Sequence, residues 1–426
     1  MTDAQGEADQ MTQGPVEVDT DTADQIERRR NDLLEKFDIP DAFPPEVIEE
    51  ADERSIDVTN EINDAIDERT DLRDLTAFTV DPGDAQDFDD AISIERDGED
   101  YRLWVHIADV THYVAPETTM WEEARRRATS VYLPDYTIHM LPPILAETVC
   151  SLVPNEPRLA HTVEMAIDGE SLSFDTIDIY KSVIESDERL TYREAERRID
   201  SDDQQLSKAL QLVFELADSL HEQRKEDGSL VLNPRRDRAH TIVEECMLKA
   251  NKAVTHELMW NRGVEAMYRV HPQPSPEEWD RALREIQELE GVSIPSASLD
   301  DPRKAVNATL ETAPDHQLNK IQRAVLRVMP RAMYMNDPFG GHHALNFEIY
   351  GHFTSPIRRL SDLINHWIVH ENDVPADLIK ACDHASDRQK AAEQCEREYK
   401  QLLQEFGLDP YEVNNRGMVV VDDPSD

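Results

Sequence analysis

Between Asp81 and Asp90 the chain reads DPGDAQDFDD, five carboxylates in ten residues with no basic residue among them. Asp81 closes the apolar run LTAFTV, and Asp87, Asp89 and Asp90 stand just before the next apolar run. Pro82, Gly83 and Ala85 allow a tight loop that folds Asp81 back toward the other three. Carboxylates held so close raise each other's pKa and cannot all ionise without a compensating cation. Oxygen donors suit hard divalent ions, so the loop points to Mg²⁺, with Mn²⁺ as a second choice. The D-x-D-x-D-G spacing and distant Glu of a calcium EF-hand are absent. The alternative is a solvated acidic turn in an acidic protein. Ile92 and Ile94 directly behind the loop favour the metal, because they place it at the edge of a buried sheet where uncompensated carboxylates are costly.

The basic counterpart is YGHFTSPIRRLSDLINHW, Tyr350 to Trp367. Ser355 fits an N-cap and Pro356 the first helical position. The pattern therefore predicts Arg358 in the first turn of a helix. The macrodipole disfavours cations there, so Arg358 and Arg359 suggest an anion that joins them. A helix N-terminus with a guanidinium suits phosphate. The alternative is two surface arginines paired with local acids such as Asp362. Taken together, the two stretches suggest phosphodiester chemistry: a cation that activates water, and an arginine that neutralises the phosphoryl group.

Strands must present the acids, and helices the arginines. LTAFTV reads as a strand, and AISIER and YRLWVHIADV flank Asp97-Gly98 as a hairpin. A second hairpin turns at Asp168-Gly169. From Tyr192 onward the period becomes helical, through QQLSKALQLVFELADSLHEQ, IVEECMLKANKAVTHELM, EWDRALREIQELEG, LNKIQRAVLRVMPRAMY, LSDLINHWIVHE and a helix near 384–406. Strands first and helices later predict an α+β fold. The expected division is an acidic disordered N-terminus over 1–22, a helical arm over 23–70, a catalytic domain over 71–406 and an acidic tail over 407–426. Neither GxxxxGK[ST] nor GxGxxG occurs, which argues against a P-loop ATPase or a dinucleotide enzyme.

The 426 residues carry 90 acidic against 44 basic side chains, a net charge of −46, and only 11 of the basic residues are Lys. The acids run along the whole chain. This is the surface expected of a cytoplasmic protein from an extreme halophile, where molar salt screens self-repulsion. Cys150, Cys246, Cys382 and Cys395 form no CxxC pair and read as buried free thiols. No apolar run reaches membrane-span length, and the first residues lack the features of a signal peptide.

DPGDAQDFDDA, YLPDYTIHMLP, CSLVPNE, RLTYREA, IVEECMLKAN, YRVHPQP and FTSPIRRLSDLINH occur in this order. Over roughly residues 25 to 406 they resemble the RNB catalytic domain of the RNase II/RNase R family of 3′→5′ exoribonucleases. The resemblance implies a mixed β-sheet surrounded by helices, and hydrolysis of single-stranded RNA from its 3′ end to nucleoside 5′-monophosphates with Mg²⁺. By position it makes Asp81, Asp87, Asp89 and Asp90 the metal-binding aspartates and Asp89 and Arg358 the catalytic residues, with Arg359 beside them on the RNA. Tyr132 matches an aromatic that stacks on the 3′-terminal base. Tyr192 and Glu244 match readers of ribose 2′-hydroxyls, which separate RNA from DNA. Glu396 matches a helical glutamate near the 3′-terminal nucleotides. Alone, Tyr132 reads first as a core aromatic, and the alternative for Glu396 is an exposed charge on an acidic helix. His342, His343 and His352 lack zinc-site neighbours and read as structural or as RNA-facing donors. Leu232 stands where the family has a second clamping aromatic. The flanks are too short for the OB-folds that usually frame this domain. The expectation is a short form from a halophilic archaeon, monomeric, binding single-stranded RNA and no DNA or membrane, with a role open to a partner protein that supplies RNA-binding domains. Two other functions stay open: an idle RNA-binding protein of the same fold, and a phosphodiesterase for short oligoribonucleotides.

Overall fold

The computed structural model describes residues 15–56, 58–201, 205–295 and 300–421. Both hairpins form where their turn residues lie. Asp90–Asp97 and Asp100–Ala108 pair antiparallel with Asp97 opposite Asp100, and Gly98 takes the φ of 64° that the two-residue turn demands. Pro157–Ile167 and Phe174–Glu185 pair antiparallel around the turn that starts at Asp168. Gly169 packs against the first turn so closely that a Cβ there would lie 2.1 Å from the Glu99 carbonyl oxygen.

These four strands form the centre of a seven-stranded sheet. Its order is Glu188–Thr191, Phe78–Asp81, Asp90–Asp97, Asp100–Ala108, Pro157–Ile167, Phe174–Glu185 and Thr70–Asp71. The two outer strands pair parallel and the rest antiparallel, so the sheet is mixed, as expected of an α+β fold. Side chains alternate across a strand, yet Leu103 through Ala108 are all buried. Both faces of the sheet centre are therefore covered. The helices Val58–Ala65 and Arg238–His256 both pack on the strand Pro157–Ile167. All four cysteines are buried and free. No helix among the described residues is long and apolar enough to cross a membrane.

Four local expectations are corrected. Residues 16–22, assigned above to a disordered terminus, are ordered: Val16–Asp19 pairs in parallel with Met418–Val421, and Asp19 caps the helix Thr20–Lys36 by accepting the Thr22 N–H at 2.8 Å. The 407–426 tail holds that second strand and the helix Pro410–Arg416. Val413 joins Ile26, Leu34, Tyr399 and Leu402 in one apolar cluster, which anchors both ends to the long helix Leu378–Glu405. Residues 1–14 and 422–426 lie outside the described residues. The arm over 23–70 runs on into the sheet, since Thr70 and Asp71 pair with Ser182 and Val183. Finally, the helix Asp315–Val328 stops two residues before Pro330, and Met333–Met335 forms a strand against Tyr268–Val270. Proline lacks the N–H that a helix requires and pushes the preceding residue to extended backbone.

Candidate active site

Asp81 ends one strand and Asp90 begins the next, so the acidic loop is the link between two sheet strands. Residues of the CSLVPNE stretch clamp its return. Ser151 Oγ accepts the Phe88 N–H at 3.0 Å and donates to Gln86 O at 2.7 Å. Leu152 N–H donates to Phe88 O at 3.0 Å, and Ala108 N–H to Asp89 O at 2.9 Å. Phe88 is buried, and Asp89 is only 3% exposed.

The arginine segment differs from the helix start that its sequence suggests. Ser355 to Arg358 form a turn, Arg359 is extended, and the helix begins at Leu360. The cause is a tertiary contact. Asp362 is fully buried and accepts the Ser355 N–H at 2.8 Å, the Ser361 hydroxyl at 2.7 Å and Arg359 Nη2 at 2.6 Å. Ser355 is thus held by the helix and does not cap it, so Arg358 lies before the helix and not in its first turn. The turn instead faces the acidic loop. Ile357 N–H donates to Asp89 Oδ1 at 2.8 Å, and Arg358 Nε to Asp89 Oδ2 at 3.3 Å. Arg358 Nη2 also donates to Ser355 Oγ at 2.9 Å. Asn251, on the helix Arg238–His256, supports the segment by accepting the Phe353 N–H at 2.7 Å. Arg359 is turned toward Asp362, the alternative its sequence left open.

These groups line one cleft of about 680 Å³, together with Tyr132, Tyr192 and Glu244. Tyr132 sits in the short hairpin of Val131–Leu133 and Tyr136–Ile138 and is 37% exposed. Its hydroxyl donates to Asp87 Oδ2 at 2.7 Å and its N–H to Glu396 Oε1 at 3.1 Å. Tyr132 is therefore a fixed surface ring and not a core aromatic, and Glu396 is tied to it and does not point freely into solvent. Tyr192 opens the helix Tyr192–Ile199, and its ring lies flat on His240, 3.8 Å between centroids at 2°. Glu244 pairs with Arg236 and, at 3.3 Å, with Arg224. Sequence reasoning passed over Arg236, His240, His139 and Glu147, all of which line the cleft. The cluster PRRDR in an acidic chain was an available signal for Arg236. Leu232 packs against the Trp279–Val328 cluster, and neither it nor His342, His343 or His352 lines the cleft. His352 instead shares a 2.9 Å hydrogen bond with the Tyr334 hydroxyl.

Burial pushes the Asp81 carboxyl up to about 6, with the Asp87 charge adding to it. Burial and the Asp81 charge push Asp90 up to about 7, and burial raises Asp89 as well. Burial alone would lower Arg358, but Tyr132, Asp89, Asp362 and Asp87 outweigh it and hold the guanidinium above its usual range. Asp81 Oδ2 is buried without a hydrogen-bond partner among the described groups. Buried carboxylates that repel each other and leave an oxygen unpaired fit a hard divalent cation. Among the described residues no three are already drawn into ligating geometry.

A model of the RNB domain matches residues 69–372. Ribonuclease R of Aquifex aeolicus is 35% identical over 403 residues, 86% of this chain and 56% of that protein. The solved structure of Mycoplasma genitalium RNase R in complex with ribose methylated single-stranded RNA gives a TM-score of 0.79 at 27% identity, over 88% of this chain and 64% of that one. Yeast Ssd1, a pseudonuclease, shares the fold with a TM-score of 0.69 at 21% identity, over 80% of this chain and 45% of that one. The chain spans about half the length of the curated relatives it matches. It belongs to the RNB-domain family, as an RNase R-like member.

Proposed function

We propose that the chain hydrolyses single-stranded RNA from the 3′ end and releases nucleoside 5′-monophosphates, with a divalent cation. The observation that carries this reading is the pair of bonds from the Ile357–Arg358 turn to Asp89, which fixes a guanidinium against the aspartates in one cleft. Tyr132, braced by Asp87 and Glu396, offers a rigid face on which any terminal base can stack. Tyr192, stacked on His240, and Glu244, held by Arg236, stand ready for ribose hydroxyls. Asp81, Asp87 and Asp90, with Asp89 beside them, would hold Mg²⁺ or Mn²⁺, which when bound supplies Lewis acidity and a more acidic water. Asp89 has a second duty. Both of its oxygens accept from the arginine turn, so it positions Arg358. With Nε on Asp89 and one N–H of Nη2 on Ser355, the N–H groups of Nη1 and the second of Nη2 are left for a phosphoryl oxygen whose charge grows in the transition state.

The proposal concerns the single-stranded 3′ end, since the relatives extend well beyond the matched length. Product analysis on a 3-mer and a 30-mer RNA tests it. Mononucleotides from both are the expected result. Cleavage of the 3-mer alone would point to an oligonucleotide phosphodiesterase, and no product from either to a binding protein.

A further inference from the structure

Asn414 lines the cleft together with Leu133 and Thr137 of the Tyr132 hairpin. It comes from the helix Pro410–Arg416, beyond the 69–372 segment that the RNB model matches and within the stretch whose sequence reads as an acidic tail. That helix is firmly seated. Val413 is fully buried in the apolar cluster that also holds Val131, Leu133 and Ile138 of the hairpin. At the helix start Asp409 Oδ1 accepts the Tyr411 N–H at 2.9 Å. At its end Gly417, with a φ of 68°, donates its N–H to Val413 O at 2.8 Å, and the Val16 N–H reaches Gly417 O at 2.9 Å where the terminal strands pair. Asn414 is exposed, whereas Asp89, deep in the same cleft, is 3% exposed. Asn414 therefore stands at the mouth and Asp89 at the floor. Tyr411, three residues before Asn414, is its neighbour on the helix surface and is 60% exposed.

A terminal base on Tyr132 brings the scissile phosphate to the aspartates on the floor, so the rest of the RNA has to leave 5′-ward through the mouth. Resting on that reading, we propose that Tyr411 and Asn414 form a lip that holds the RNA upstream of its 3′-terminal dinucleotide. The Tyr411 ring stacks on a base, whichever of the four it is. The Asn414 amide, donor and acceptor at once, meets a ribose 2′-hydroxyl, which is also both. Both contacts are uncharged. They add grip without a cationic groove in a chain of net charge −46, and molar salt leaves them largely intact.

The test measures binding of a dinucleotide and a decamer with the same 3′ end to the full chain, in molar KCl with EDTA, and initial rates on the decamer with Mg²⁺. The wild type should bind the decamer at least about tenfold more tightly, the scale of one base stacked on an aromatic ring. Equal affinities would overturn the lip whether or not any variant folds. Tyr411→Ala should weaken decamer binding about tenfold and leave the dinucleotide within about twofold. Its KM for the decamer should rise by a similar factor at unchanged kcat, as loss of uniform binding requires. Tyr411→Phe keeps the ring and should match the wild type. Asn414→Ala should weaken decamer binding about fivefold, and a decamer with deoxyriboses upstream of its last two nucleotides should erase that difference. A variant shown by circular dichroism to be folded that holds the decamer as the wild type does, or that loses dinucleotide and decamer equally, would overturn the proposal. Length-dependent losses in a chain that cleaves no RNA would contradict the proposed hydrolysis and leave the lip standing.

Discussion

Single residues decide the chemistry through what each oxygen and nitrogen already holds. Arg358 uses Nε for Asp89 and Nη2 for Ser355, a fork that one ammonium group cannot reproduce. Arg358→Lys should therefore lose about a hundredfold in single-turnover cleavage although charge is kept; a near wild-type rate would show that a distant positive charge suffices. Asp81 and Asp90, raised to about 6 and about 7, give a second prediction. Their folded values exceed those of the unfolded chain. This favours the native state at low pH, and the contribution is lost as pH rises through about 6 to 7. A cation that binds the ionised forms offsets that loss. Mg²⁺ should thus raise Tm more at pH 8 than at pH 5, and equal increments would argue against these carboxylates as its ligands. The four aspartates and Arg358 could be picked out as candidates because the acidic density and the paired arginines after Ser355-Pro356 stand out in the sequence, and the fold brings them to one cleft. The bond that joins Asp89 to the turn was not legible, since 268 residues separate its partners. His139 and Glu147 escaped notice because one histidine and one glutamate eight residues apart form no spacing that a sequence can flag.

At the scale of elements, strand ends place the site. Thr191 lies beside Asp81 in the parallel pair and also caps the helix that starts at Tyr192. Its hydroxyl accepts the Glu194 N–H at 3.2 Å while Glu194 reaches back to the Thr191 N–H at 2.9 Å, a reciprocal capping box. Thr191→Ala should lower the unfolding free energy by about 1 kcal/mol in chemical denaturation. It should also weaken discrimination of RNA from DNA by freeing Tyr192, and Thr191→Ser should preserve both. Unchanged stability in the alanine variant would show that the strand pair alone positions Tyr192. The hairpins and long helices could be read from the sequence because their turn residues and periods are local. The pairing of Val16–Asp19 with Met418–Val421 could not, because neither strand has a local partner and each is set in acidic sequence. The false helix start at Ser355 has the same origin: a local cap signal yields to a buried carboxylate seven residues on.

For the whole molecule, the net charge of −46 should work against both folding and RNA capture at low salt. The contacts proposed here are stacking, ribose hydrogen bonds and a cation, which depend less on counterion release than a cationic groove does. Initial rates on single-stranded RNA should rise with KCl from ~0.1 M into the molar range, where the screening length falls to about 3 Å. Circular dichroism at each salt concentration separates folding from catalysis; a folded protein that is fastest at ~0.1 M KCl would point to a cationic RNA path. The central claim is that this cleft hydrolyses RNA stepwise from the 3′ end. Its most direct test is a time course on 5′-end-labelled single-stranded RNA in molar KCl with Mg²⁺, for the wild type and Asp89→Asn. The asparagine keeps an oxygen for the Ile357 N–H but turns an amide toward Arg358 and removes a buried charge. The account predicts a ladder that shortens from the 3′ end with 5′-monophosphate release, and a variant that binds the RNA but leaves it intact. Internal cleavage by the wild type, or equal ladders from the two proteins, would contradict it.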